Sequence, residues 1–197
     1  MDESYHNINS ADQVKEAKII ELARAGDTIA FRNIVKKHQG HLLGTIKGML
    51  GNVVEVDDVG QEVFIRFFKN IEQFEGKSSL KTYLTRIAIN LSLNELQRRK
   101  RQYKYFEKGE SAKFKVEHKM VSDEEQNDVR QLINKALEYL DPKFRTVLVL
   151  RTIQGYSTKE TAKILDIPLG TVLSRLNAAQ KKLKEVVLEL NPDYLKA

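Results

Sequence analysis

The stretch SLKTYLTRIAINLSLNELQRRKR, Ser79 to Arg101, sets apolar residues Leu80, Leu84, Ile87, Leu91 and Leu96 near helical spacing and ends in unbroken positive charge. Ile89 and Leu93 widen the stripe, so the pattern predicts a mostly buried helix. From Lys77 to Lys104 there are eight cations, Lys77, Lys81, Arg86, Arg98, Arg99, Lys100, Arg101 and Lys104, against the single anion Glu95. One or two cations suit the negative end of a helix. Eight that repel one another point instead to a polyanion, and a phosphate-binding edge is the natural reading.

The rest of the chain is patterned for short helices. Ala11 to Ala25 reads as a first helix stopped by Gly26, and Asp27 as the cap of a second that runs to Gly51. Gly40, Gly44 and Gly48 fall on one face of that second helix; close packing and a break both fit the spacing. A third helix is expected from Val56 to Phe74, with Asp57 or Asp58 as cap and Val59, Val63, Phe64, Phe67, Phe68 and Ile71 inward. It is acidic, with Glu55, Asp57, Asp58, Glu62, Glu72 and Glu75 opposed only by Arg66 and Lys69. Asn70 to Ser79 then turns into the basic helix. Glu107 to Asp128 is polar and mixed in charge and reads as a flexible linker. A helix face resumes at Val129, and Asp141-Pro142 caps and opens another helix that ends before Gly155.

Gly155 to Leu183 carries the most specific local pattern. Ser157 and Glu160 form a capping box, Asp166-Ile167-Pro168 a tight turn, and a second helix starts near Leu169 to Thr171. Its Val172, Leu176, Ala179 and Leu183 make one inner stripe, while Leu173, Ser174, Asn177, Gln180, Lys181 and Lys184 face outward. A short capped helix, a turn and a second helix with hydrogen-bonding groups outward is helix-turn-helix geometry, in which the second helix enters the major groove.

No strand pattern or internal repeat interrupts this, so the fold class is all-α, two small helical domains joined by a flexible linker. Residues 1–101 carry a net +3, 102–128 a net −2 and 129–197 a net +5, two basic bodies about an acidic connector. The chain has no cysteine, which excludes disulfides, thiol zinc sites and cysteine nucleophiles. The polar N-terminus does not read as a signal peptide and no window is apolar enough to cross a bilayer, so the expected location is the cytoplasm.

Three segments in this order resemble the extracytoplasmic-function (ECF) group of bacterial RNA polymerase sigma factors. DDVGQEVFIRFF, Asp57 to Phe68, is similar to the acidic helix of region two that docks on the polymerase. FEGKSSLKTYLTRIAINLSLNELQRRKR, Phe74 to Arg101, is similar to the part that melts and reads the minus-10 element. LDPKFRTVLVLRTIQGYSTKETAKILDIPLGTVLSRL, Leu140 to Leu176, is similar to region four, which reads the minus-35 element.

The resemblance implies a region-two domain at 1–105, a linker at 106–128 and a region-four domain at 129–197. It implies binding to the beta and beta-prime subunits of core polymerase through Asp57, Asp58, Gln61, Glu62 and Arg66. It places minus-10 contacts at Asn70, Lys77, Ser78, Ser79, Tyr83, Arg86, Asn90, Arg98 and Arg99, and minus-35 contacts at Thr171, Leu173, Ser174, Arg175, Asn177 and Lys181. Promoter DNA and an anti-sigma factor are the other implied partners, with no cofactor, metal or catalytic residue. Tyr83 stands where the family usually has Trp, Gly60 where it has a branched residue, Asp166 where it has Gly, and Leu173 and Ala178 where many members have Arg or Lys.

Two other readings compete. The helix-turn-helix residues are also similar to LuxR-like regulators, which need a receiver domain with βα alternation. Asp57-Asp58 with Glu62 has the spacing of an aspartate-rich magnesium site, but no second acidic cluster faces it.

Overall fold

The computed structural model describes residues 4–108 and 128–192, and the expected linker lies largely outside them. Among these residues there are eight α-helices and no strand: α1 Ser4–Arg24, α2 Thr28–Leu50, α3 Glu55–Lys69, α4 Leu80–Lys108, α5 Asp128–Glu138, α6 Pro142–Leu148, α7 Thr158–Leu165 and α8 Leu169–Leu190. A 3-10 turn, Ile71–Gln73, follows α3, and a π-helical turn, Val149–Ile153, continues α6.

Local chemistry sets most of the boundaries. The Asp27 carboxylate accepts from the Ile29 and Ala30 amides at 2.8 and 3.0 Å and starts α2. Asp141 accepts from the Lys143 amide at 3.0 Å, with Pro142 in the first turn of α6. The Ser157–Glu160 box closes in both directions, at 3.2 and 2.8 Å. Asp166 ends α7 in the left-handed region at φ 52°, a conformation that short polar side chains tolerate better than most.

The third helix departs from expectation at both ends. It begins at Glu55 with Val54 at the cap, because the Val56 amide bonds back to the Val53 carbonyl and Val56 is drawn into the core. Asp57 and Asp58 therefore cap nothing; they stand exposed in the first turn, where the helix dipole favours their charge. The helix stops at Lys69, not Phe74, where the Asn70 amide side chain donates to the Arg66 carbonyl at 2.8 Å. Phe68, expected inward, is 54% exposed and meets Phe31 edge-on at 5.1 Å.

α1 lies on α2, α3 packs on α2 and α4, and α8 packs against α5, α6 and α7. The two domains meet along a seam. One apolar core joins Leu42, Ile46, Phe67 and Leu84 of the first half to Val149, Leu150, Tyr156 and Ile164 of the second, while Leu137, Leu140, Leu148 and Ala179 form a satellite core under α5 and α8. The glycines of α2 mark this seam. α2 is unbroken, and a Cβ on Gly48 would lie 3.0 Å from a Val149 methyl; one on Gly44 would lie 3.2 Å from the Gln154 amide nitrogen. Gly60 serves the first half in the same way, since a Cβ there would come within 3.0 Å of Leu43 on α2.

Candidate nucleic-acid interface

On α3 the exposed face carries Asp57, Asp58 and Gln61, then Glu62 bonded to Arg66 one turn on at 2.8 Å. Ile65, 45% exposed, and Phe68 continue the same face. The ridge is thus part acidic and part apolar, and sequence reasoning missed the apolar part. The signal was available: 58, 61, 65 and 68 fall at helical spacing on one side.

A pocket of about 260 Å³ has Phe74, Gly76, Ser78 and Ser79 of the turn before α4 on one side, and Asn70 is not part of its lining. Its other wall is Glu16, Ala17 and Ile20 of α1, which the sequence did not suggest. Arg24 ties α1 to this turn, donating to the Phe74 carbonyl at 2.9 Å and pairing with Glu21 at 2.6 Å. Ser79 is committed to the start of α4: its hydroxyl accepts from the Thr82 amide at 3.2 Å and donates to the Thr82 hydroxyl at 3.0 Å. Lys77 is exposed and pairs with Glu75. Tyr83 is partly buried, with Phe74 and Phe67 edge-on at 5.0 and 6.1 Å.

The basic end of α4 is less bare than its composition implies. Glu95 receives both guanidiniums, Arg98 Nε at 2.7 Å and Arg99 Nε at 2.9 Å. Burial pushes the Glu95 carboxyl up, but the hydrogen bonds and charges of these two arginines outweigh it and hold the group below the usual range. Arg99 also reaches Glu55 at 3.4 Å and the Leu50 carbonyl at 3.3 Å, so it fastens α4 to the end of α2 and the start of α3. Expected on a DNA path, it is instead engaged within the fold here, with only 12% of its side chain exposed. Arg98, Lys100 and Arg101 remain at the surface.

The seam takes up further expected DNA contacts. The Arg86 guanidinium donates to the Lys163 and Ile164 carbonyls at the end of α7, where the helix dipole is negative. Asn90 and Arg175, assigned to different promoter elements, line one cleft of about 350 Å³ together with Asp141 and Leu165. Nearby, the buried Tyr156 hydroxyl bonds Thr85 at 2.8 Å and His41 at 2.9 Å, and Lys81 lies over its ring. Burial pushes the Tyr156 hydroxyl up to about 12, with the neighbouring Glu160 charge adding to it and the Thr85 bond opposing.

Burial, then the charges of Lys81 and His38, push His41 down to about 4, so the fold holds the ring neutral. An unfolded histidine titrates near 6.5. The stability this group contributes is present above pH ~6.5 and is lost as pH falls from there through 4. His41→Gln should therefore be less stable than the parent at pH 7.5, and the gap should narrow by pH 5. Urea midpoints at the two pH values measure this; a gap of constant size excludes the coupling.

The helix-turn-helix matches its pattern. Val172 and Ala179 are buried and Leu176 and Leu183 partly buried, whereas Leu173, Ser174, Asn177, Gln180, Lys181 and Lys184 are all exposed. Thr171 is half-buried, and its carbonyl accepts from the Ser174 hydroxyl at 3.1 Å.

The Sigma-70 region 2 family model matches residues 34–102, and the Sigma-70, region 4 model matches residues 130–183. The chain is 33% identical over 186 residues to the ECF RNA polymerase sigma factor SigW of Bacillus subtilis, covering 88% of this chain and 97% of SigW. It is 32% identical over 190 residues to the RNA polymerase sigma-H factor of Pseudomonas aeruginosa, covering 90% and 96%. Two solved structures share the fold. The sigma factor RpoE in complex with the anti-sigma factor NepR, from Bartonella quintana, superposes with a TM-score of 0.65 at 21% identity, over 82% of this chain and 98% of RpoE. CnrH in complex with the cytosolic domain of CnrY gives 0.62 at 22%, over 92% and 99%. With both family models in sequence order and relatives matched along nearly their whole length, this chain belongs to the ECF group of sigma-70-type RNA polymerase sigma factors.

Proposed function

We propose that the chain recruits core RNA polymerase to a set of promoters and starts transcription there, acting in the cytoplasm and performing no chemistry of its own. The observation that carries this is the joint presence of an exposed acidic ridge on α3 and a solvent-facing recognition helix α8 in a chain matched by both sigma-70 models. In this reading residues 1–105 bind the polymerase and the minus-10 strand, and residues 129–197 bind the minus-35 duplex. Asp57, Asp58, Gln61 and Glu62 meet the beta-prime side of the enzyme, with Ile65 and Phe68 adding apolar area. Unpaired minus-10 bases enter the pocket between α1 and Ser78, where stacking and edge hydrogen bonds offset the cost of unstacking.

The two elements are, by their names, about 25 base pairs apart, roughly 85 Å of B-form DNA. Asn90 and Arg175 line one cleft, so the docked arrangement cannot serve both elements. We take the docked form as the resting state and an opened seam as the promoter-bound one. RpoE and CnrH were solved with NepR and CnrY; an anti-sigma partner of that kind is proposed for this chain too.

Run-off transcription with purified core polymerase on a randomised promoter library tests the proposal, and failure to initiate at any site rejects it. The ridge is tested separately by Asp58→Arg with Glu62→Arg. Both residues are on the surface, so folding is preserved and core affinity should fall about tenfold. Unchanged affinity removes α3 from the interface.

A further inference from the structure

The outer face of α8 shows what kind of sequence it can read. Its apolar stripe, Val172, Leu176 and Ala179, already points into the domain. A second apolar pair, Leu169 and Leu173, stands on another side, 42% and 46% exposed. Single exposed leucines need no explanation. These two are one helical turn apart in the part of a recognition helix that approaches base edges, flanked by exposed Ser174 and Asn177. The face also lacks an arginine: Arg175 is half-buried and lines the seam cleft with Asn90 and Asp141, and the first cation on the outer side is Lys181.

We propose that Leu173, with Leu169 beside it, reads thymine methyl groups in the minus-35 element, and that Asn177 reads an adjacent adenine. This rests on the assignment of α8 to that element. In the major groove only thymine offers a methyl group, and leucine gains by removing that methyl from water; an asparagine amide pairs with the N6 and N7 edge of adenine. An arginine at position 173 would select guanine. Four residues of helix span about 6 Å, so the two contacts fall no more than about two base pairs apart at 3.4 Å per pair.

The test uses holoenzyme assembled from the full chain and core polymerase, on a promoter obtained from the randomised library. Each thymine of the upstream element, on either strand, is replaced singly by deoxyuridine, which lacks only the methyl. One or two replacements should weaken binding about three- to fivefold at fixed salt, the value of one buried methyl. Leu173→Ala, at an exposed helical position that does not threaten folding, should bind more weakly and be indifferent to those replacements. A scan with no sensitive thymine overturns the inference, as does a Leu173→Ala variant that keeps the penalty. Scrambling the whole upstream element is the control: if that leaves binding unchanged, the minus-35 assignment itself fails, and this inference with it.

Discussion

Arg145→Met should destabilise the protein by about 3–5 kcal/mol, the usual cost of breaking a buried charged hydrogen-bond set by removing one partner. Arg145 is 5% exposed, and its guanidinium donates to the Met49 carbonyl at 2.6 Å, the Leu140 carbonyl at 3.3 Å and the Glu138 carbonyl. Met49 lies at the end of α2, and Glu138 and Leu140 lie at the end of α5, so one cation satisfies carbonyls at two helix ends that attract it. Burial lowers its pKa, and the nearby Glu138 opposes that shift. Methionine fills the space of the stem but takes the guanidinium donor from the buried Met49 and Leu140 carbonyls. Arg145→Lys should recover only part of the loss, because an ammonium is a single point and cannot span the fork. Urea unfolding followed by circular dichroism measures the difference; a loss below ~1 kcal/mol for Arg145→Met would mean that the carbonyls find water.

What could be read from the sequence was what is decided within a few residues. Asp27, Asp141, the Ser157–Glu160 box and Asp166 act on their own backbone or the next turn, and each is where the pattern placed it. The inner stripe of α8 follows from its spacing alone. What the sequence left unseen involves partners far along the chain. The resemblance placed Arg86, Arg99 and Arg175 alike on DNA; in the fold the first is held by carbonyls 77 and 78 residues away, the second by Glu55 and Leu50, and the third faces a cleft shared with α4. The wall that α1 gives to the pocket beside Ser78 and Ser79 is hidden for the same reason. Gly44 and Gly48 were compatible with a break or with close packing, and only the position of Val149 and Gln154 decides between them. Tyr156, which the sequence pattern does not single out, is in the fold the hydroxyl between Thr85 and His41.

Gly48→Leu should open the seam while leaving the first domain folded. Two effects of opposite sign act at this position. Within α2, replacing glycine by leucine favours the helix by somewhat under ~1 kcal/mol. At the seam, the Cβ alone would sit 3.0 and 3.1 Å from the Val149 methyls and 3.6 Å from Ile153, and the remaining carbons have no room, an overpacking of about 1–3 kcal/mol. The penalty falls on contacts between the halves and the gain within one of them, so relief comes by separation. Gly40→Leu is the control, since nothing lies within 4 Å of its Cβ. The chain has no cysteine of its own, so Lys69→Cys and Lys184→Cys supply a clean dye pair across the halves. Energy transfer between the dyes should fall in Gly48→Leu and stay constant in Gly40→Leu. Opening also frees Arg86 from the end of α7, so the affinity for a single-stranded minus-10 probe at fixed salt should rise severalfold. Unaltered transfer in Gly48→Leu would show that the halves hold together without close approach at α2, whereas a lower transfer with no gain in probe affinity would remove Arg86 from the strand path.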